Sequence, residues 1–150
     1  MKSKSMPGGW IYILLTSQDY SRCKIGRTTE NPLVRFRNLR TSDPFLGLVT
    51  AYYIPSHYGD ISSFEASIHY EFVDHRIFSH DDRKTEWFRI EYSQAEMLID
   101  GMLEEWCNQT FHHSLHPDKL CKLYEDAIKG YFEPDRSDME FVKWILDGPS

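Results

Sequence analysis

The sequence predicts an α+β fold, with a small, central, mostly antiparallel sheet flanked by helices and a helical extension at its C-terminal end. Three observations support this class. Apolar, β-rich runs occupy residues 10–15 and 48–54. A short loop joins the first run to a second strand, and helical patterns separate the later strands. From residue 93 onward the pattern is helical only, which predicts a module at 1–92 and a helical extension at 93–150 packed on it.

The first predicted elements are strand, loop, strand and helix. Residues 10–15 form a continuous apolar run, and residues 22–27 contain a shorter strand centred on Ile25. Gly26 is expected to release the chain into a turn that lets a phosphate approach its backbone. Asn31 and Pro32 predict a helix start, because asparagine caps helices and proline needs no N–H at the first helical position.

The remaining elements follow from the same signals. Residues 48–54 predict a third strand, and residues 55–60 a loop. Ser62 or Ser63 is expected to cap a second helix, and residues 86–90 predict the last strand.

The segment after residue 92 is predicted to hold three helices. Ser93 and Glu96 match a capping box, and Ser137 with Glu140 matches another. Between them, apolar positions over 120–131 repeat with a helical period after Pro117.

Composition and charge narrow the class of protein. A length of 150 residues with 41% apolar content is enough for one domain with a core. The net charge is −6, but residues 1–50 carry eight Lys/Arg and three Asp/Glu, a charge of +5, so the rest carries −11. We therefore expect the N-terminal part to present a basic face that binds phosphate. The alternative is that the surface charge is uneven but has no role in binding.

The N-terminal segment lacks the apolar stretch of a signal peptide, and no apolar run is long enough to span a bilayer. Three cysteines without metal-type spacing favour a reducing compartment over a disulfide framework. We therefore expect a cytoplasmic protein that makes no membrane contact. The three cysteines are expected to be small, partly buried hydrophobic residues and not nucleophiles.

The motifs in residues 9–92 resemble those of the GIY-YIG nuclease superfamily, and more closely its phage-type branch, which carries KIG where the founding members carry YIG. The matching residues are Ile11-Tyr12, Lys24-Ile25-Gly26, Arg35, then Glu65, His69 and Phe72 in FEASIHYEF, and Glu86-Trp87-Phe88. Arg76 and Trp87 also match branch positions, for framing the site and for packing. The order and spacing of these motifs carry the resemblance.

The resemblance implies a set of site residues. The catalytic candidates are Tyr12, Lys24, Arg35, Glu65 and His69, and the candidates for nucleic-acid contact are Arg22, Arg27, Arg37, Arg40 and Arg76. Tyr12 would act as base or relay, Arg35 would hold the scissile phosphate, and Glu65 would bind Mg²⁺ or Mn²⁺. Ordinary structural roles are the alternative for each. Lys24 departs from the founding pattern, because an ammonium binds phosphate but accepts no proton.

The leading hypothesis is a metal-dependent endonuclease acting on nucleic acid, with DNA favoured over RNA. A non-catalytic nucleic-acid-binding or regulatory module of the same fold is the alternative, and a protein-binding role for the acidic extension is a third. The oligomeric state is left open. His112, His113 and His116 are expected to form a loop cluster and not a metal centre, and Trp106, Tyr124, Phe141 and Trp144 are expected to be core residues.

Overall fold

The computed structural model describes residues 8–132 and confirms the predicted α+β class. Over that range the chain forms a six-stranded antiparallel sheet with four α-helices, and the strand order is β4-β5-β2-β1-β3-β6. The elements are β1 (Gly8–Thr16), β2 (Asp19–Thr28), α1 (Pro32–Arg40), β3 (Leu46–Pro55), α2 (Ile61–Glu71), β4 (Arg76–Phe78), β5 (Lys84–Phe88), α3 (Tyr92–Cys107), β6 (Cys121–Tyr124) and α4 (Glu125–Phe132). Short 3-10 turns at Ser56–Tyr58 and Val73–His75 flank α2.

The central strand, β1, is apolar on both faces because helices cover both sides of the sheet. Ile11 and Ile13 point into a core formed with α2 and α3. Trp10, Tyr12 and Leu14 point into a second core formed with α1, β6 and α4. The continuous apolar run at 10–15 therefore reflects a strand buried between two layers of helices.

The first helix starts as predicted. The Asn31 side chain accepts a hydrogen bond from the Leu33 backbone N–H at 2.8 Å, and Pro32 takes the first helical position.

The turn predicted at Gly26 is wrong. Strand β2 continues to Thr28, and Gly26 lies directly opposite Tyr12 on β1. A Cβ atom at Gly26 would lie 2.5 Å from the Cζ and Oη atoms of Tyr12. The glycine therefore provides the space in which the phenol ring lies.

The two predicted serine caps are also wrong. Helix α2 starts at Ile61 after Asp60, and α3 starts at Tyr92 after Glu91, and neither preceding residue caps its helix through its side chain. The serines that were expected to cap lie inside the first turn of each helix. In both cases the extended residue before the helix defines its start. Strand β4 was not predicted, because its three residues are too few to show an alternating pattern.

The helix predicted from Pro117 is wrong, and so is the expectation of helices alone after residue 92. Cys121–Tyr124 forms β6, which pairs with Thr50–Tyr53 of β3, and the helix α4 begins only at Glu125. Residues 121–124 form a strand because they pair with the open edge of β3, although the sequence around them has a helical period. A strand of four residues is too short to disturb that period. The helix predicted after Ser137 lies outside the described residues, and the domain boundary at residue 92 stays a prediction.

The three cysteines are buried, as expected of small hydrophobic residues. Cys23, Cys107 and Cys121 are all buried and unpaired. Burial raises the pKa of the Cys23 thiol to about 12 and that of Cys107 to about 11, so both stay protonated and unreactive.

Across residues 8–132, no helix has the length and apolar character needed to cross a bilayer.

Candidate active site

The candidate site lies where β2 and β5 separate. Their ladder consists of two residue pairs, Cys23 with Phe88 and Lys24 with Trp87, while β2 runs on to Thr28. Side chains from both faces of the sheet can therefore meet beside the strand edge that follows Lys24. We call this place the fork site, and its residues are Tyr12, Lys24, Arg27, Arg35, Glu65, His69 and Glu86.

Tyr12 and Arg35 meet on the α1 side of the fork site. Tyr12 is 2% exposed, and its hydroxyl oxygen is buried without a hydrogen-bond partner of standard geometry among residues 8–132. The Arg35 guanidinium lies next to that hydroxyl. Burial raises the pKa of Tyr12 above its usual value, and this outweighs the lowering by Arg35, so the phenol is protonated at neutral pH.

Glu65 reaches the fork site from α2, and its two oxygens have different surroundings. Oε1 accepts a hydrogen bond from Arg27 Nε at 3.1 Å, whereas Oε2 is buried and receives none from any described residue. Burial is the main reason that the pKa of Glu65 is raised to about 7, and the nearby charge of Glu86 adds to it. The carboxyl group therefore changes its charge near neutral pH.

His69 attaches α2 to the edge of β2. Its Nε2 lies 2.8 Å from the carbonyl oxygen of Ile25 and 3.9 Å from Glu65 Oε2. A carbonyl only accepts hydrogen bonds, so the proton of the imidazole is on Nε2. Burial lowers the pKa of His69, which keeps the ring neutral near pH 7. This geometry suits a residue that positions Glu65 better than one that transfers protons.

Glu86 is the functional candidate that sequence reasoning missed. It lies on β5, with Oε1 at 3.8 Å from Lys24 Nζ, and its charge affects Tyr12, Arg35, Glu65 and His69. The signal was present in the motif Glu86-Trp87-Phe88, which was used only to support the resemblance. The strand register that turns Glu86 toward Glu65 is not visible in the sequence.

The structure separates the five arginines predicted to contact nucleic acid. Arg27 is at the fork site, where it pairs with Glu65. Arg37 and Arg40 are exposed in the last turn of α1, and Arg40 also reaches the carbonyl oxygen of Pro44 at 3.4 Å.

The other two arginines frame β5. Arg22 lies 4.4 Å from the centre of the Trp87 ring. Arg76 donates to the carbonyl oxygen of Thr85 at 3.0 Å and lies 4.9 Å from the Phe88 ring centre. Both arginines contact aromatic residues of β5, and the roles expected for them at the site and toward nucleic acid stay predictions.

Two other places in the described part of the chain differ from the fork site. The rings of His112 and His116 are 5.9 Å apart, but no cluster of three metal-ligating side chains occurs within residues 8–132. A cavity of about 460 Å³ opens beside Gly9, Thr29 and Ile61, and Asp60 is the charged residue in its lining. Neither place combines a cation, a phenol and a carboxylate as the fork site does.

The chain matches a known protein family. The profile of the T5orf172 domain matches residues 9–107. Neither the curated proteins nor the solved structures contain a significant match. The matched region includes every residue of the fork site and ends with α3, before β6.

Proposed function

The chain belongs to the T5orf172 domain family, a phage-associated family of the GIY-YIG/HNH-like endonuclease-type group, and on this basis we propose that it is a metal-dependent endonuclease of the GIY-YIG type. Its reaction would be hydrolysis of a phosphodiester bond in nucleic acid, with DNA as the preferred substrate. Membership alone indicates a nuclease-related module that interacts with nucleic acid. The finer assignment depends on the fork site.

The observation that carries the proposal is the convergence of Tyr12, Arg35 and Glu65. Tyr12 and Arg35 come from β1 and α1 on one face of the sheet, and Glu65 comes from α2 on the other face. The three residues lie near one another where β2 and β5 separate. The buried oxygens Tyr12 Oη and Glu65 Oε2 receive no hydrogen bond of standard geometry from the described residues. Buried polar groups without partners are unfavourable, so they are typical of sites that bind a ligand.

Each residue has a role that its chemistry supports. The planar guanidinium of Arg35 would hold the scissile phosphate through two hydrogen bonds. Tyr12, protonated at neutral pH, would orient the attacking water and pass on its proton as part of a relay. Lys24, half-buried beside Glu86, would offset phosphate charge.

Glu65 would hold the metal ion, and His69 would fix the helix that carries Glu65. The donor set fits Mg²⁺ or Mn²⁺, because these ions take carboxylate oxygens and complete their shell with water and substrate phosphate. When bound, such an ion supplies Lewis-acid stabilisation of the charge that develops on the phosphate.

Cleavage assays test this proposal directly. Supercoiled plasmid, single-stranded DNA and RNA would be incubated with Mg²⁺, Mn²⁺ or EDTA. We expect metal-dependent nicking that Arg35→Ala and Glu65→Gln each reduce by about 10²–10³-fold, by analogy with single preorganised donors. Arg83→Ala is the control, since the Arg83 side chain is 84% exposed on the turn between β4 and β5. Undiminished cleavage by folded Glu65→Gln would refute the assignment.

A second candidate is a nucleic-acid-binding module of the same fold that does not cleave. The specific observation in its favour is the pair of Lys24 and Tyr12: Lys24 replaces the second tyrosine of the founding pattern, and burial raises the pKa of Tyr12. Such a module would bind nucleic acid with an affinity that falls steeply with salt, and would show no nicking with either metal.

A further inference from the structure

We propose that Glu86 is a second metal ligand, so that the divalent cation of the fork site is held between Glu65 and Glu86. The inference rests on the proposed function for the presence of a metal ion, but it does not depend on cleavage. It adds to the site a residue from β5, the strand that borders the fork.

The first argument is the arrangement of the two carboxyl groups. The Glu86 carboxyl group is close enough to Glu65 to raise its pKa. Arg27 occupies Glu65 Oε1 at 3.1 Å, while Glu65 Oε2 is buried and receives no hydrogen bond from residues 8–132. Two neighbouring carboxylates repel unless a proton or a cation lies between them. Arg27 contacts Glu65 through Oε1, and the cation beside Glu86, Lys24, is 3.8 Å from its Oε1, which is long for an ion pair.

The second argument comes independently from Tyr12. Its side chain is 2% exposed, and its hydroxyl has no hydrogen-bond partner of standard geometry in the described part of the chain. The hydroxyl faces the charges of Glu86 and Glu65, which both disfavour its ionisation. A hydrated Mg²⁺ or Mn²⁺ ion would supply positive charge and water protons to the buried oxygens Tyr12 Oη and Glu65 Oε2, which receive no hydrogen bond of standard geometry from residues 8–132.

The third argument is the donor count. Mg²⁺ sites in phosphate-processing proteins commonly use one or two carboxylates and leave the other positions to water and phosphate. His69 is not a competing ligand through Nε2, because that nitrogen donates to Ile25. Glu65 and Glu86 would therefore supply the protein ligands, and water and the scissile phosphate would supply the others.

The test measures Mn²⁺ binding without nucleic acid. The amount of free Mn²⁺ is read from its electron paramagnetic resonance signal, and calorimetry gives the dissociation constant. We expect Glu86→Gln and Glu65→Gln each to weaken Mn²⁺ binding by about tenfold or more. The double variant should bind Mn²⁺ more weakly than either single variant, because it keeps neither carboxylate ligand. Glu71→Gln, at the exposed end of the same helix as Glu65, is the control and should bind like wild type.

Several outcomes decide the matter. Wild-type affinity in folded Glu86→Gln, together with a loss in Glu65→Gln, would overturn the role of Glu86 and leave the nuclease proposal standing. Mn²⁺ binding that needs both carboxylates, in a protein that cleaves no nucleic acid, would support the site and refute the nuclease. No Mn²⁺ binding by wild type would refute both. If Glu86→Gln does not fold, Glu86→Asp replaces it, and an unchanged affinity for Mn²⁺ would count against the proposal.

Discussion

Gly26 and Tyr12 face each other across β1 and β2, and this contact places the phenol at the fork site. A methyl group at position 26 would lie 2.5 Å from Tyr12 Cζ and Oη, far inside the van der Waals distance. The ring is enclosed by the core under α1, so it has little room to move. The glycine of the KIG motif is therefore required by the packing of the tyrosine.

We expect Gly26→Ala to destabilise the protein by about 1–3 kcal/mol, as overpacked cores generally do. The measurement is urea unfolding followed by circular dichroism. Gly47→Ala is the control, because no atom lies within 4 Å of its added methyl group and the residue is also in a strand. In a Tyr12→Ala background the penalty at position 26 should disappear. An equal penalty in both backgrounds would show that the tyrosine ring is not the cause.

Glu65, the proposed metal ligand, carries a stability penalty that depends on pH. Its pKa in the folded protein is raised to about 7 from an ordinary value of 4.5, mainly by burial. Between these two values the folded state binds more protons than the unfolded state, so this group lowers stability as the pH rises through that window. Glutamine at this position has no charge to bury and still accepts a hydrogen bond from Arg27.

We therefore expect Glu65→Gln, in metal-free buffer with EDTA, to gain stability relative to wild type between pH 5 and pH 8. The relative gain should be on the order of 1–3 kcal/mol, since each pKa unit corresponds to about 1.4 kcal/mol. Chemical unfolding at several pH values measures it. Glu71→Gln should show no such trend. If the difference between Glu65→Gln and wild type does not change with pH, the carboxyl group is not shifted as described.

At the scale of elements, β6 is attached to α3 by a buried cation. Lys122 is 6% exposed, and its Nζ lies 2.6 Å from Glu96 Oε2 and 2.7 Å from Asp100 Oδ2. The hydroxyls of Tyr52 and Tyr124 donate to the same two carboxylates. The pKa of Lys122 is raised, because these hydrogen bonds outweigh the lowering by burial. This stabilisation is present below the ordinary lysine pKa and is lost only at more alkaline pH.

We expect Lys122→Met to destabilise the fold by about 3 kcal/mol, because it leaves two partly buried carboxylates without their cation. The denaturation midpoint in urea measures this effect. Lys129→Met is the matched control: its ion pair with Glu125, at 3.1 Å, joins side chains that are 49% and 42% exposed. Exposed pairs contribute less than about 1 kcal/mol. Similar losses in the two variants would mean that the buried cluster does not fix β6.

The elements also show where sequence reasoning succeeds. The hairpin of β1 and β2, the Asn31 cap of α1 and the apolar face of α2 follow from local patterns. The core positions expected for Trp106 and Tyr124 are wrong: their side chains are 39% and 49% exposed, and α3 buries Ala95, Ile99 and Leu103 instead. Tyr12, Arg35 and Glu65 were identified as candidates from the motifs that resemble those of the GIY-YIG superfamily. Glu86 was missed, Gly26 was assigned to a turn, and residues 121–124 were assigned to a helix. In each case the true role depends on strand register or on pairing between distant segments. A four-residue strand at 121–124 has no local signal that separates it from one turn of helix.

At the scale of the whole molecule, the family match ends at residue 107, but β6 and α4, which follow that residue, belong to the same packed core. Strand β6 covers the edge of β3, and Leu123 and Ile128 complete the core that also contains Tyr12. The ring of Trp10, on the central strand, lies 5.7 Å from that of Phe132 at the end of α4. The segment beyond α3 thus supports the same face of the sheet that positions the phenol.

This arrangement predicts a single cooperative unfolding transition for the full chain. If residues 1–92 and 93–150 were independent units, tryptophan fluorescence and far-ultraviolet circular dichroism would report separate midpoints in urea; we expect them to coincide. A version truncated after Cys107 should lose most of its stability, because it exposes the apolar face of β1 and β3 and leaves the edge of β3 unpaired. A truncated chain that unfolds with the midpoint of the full chain would show instead that the matched family domain is complete without β6.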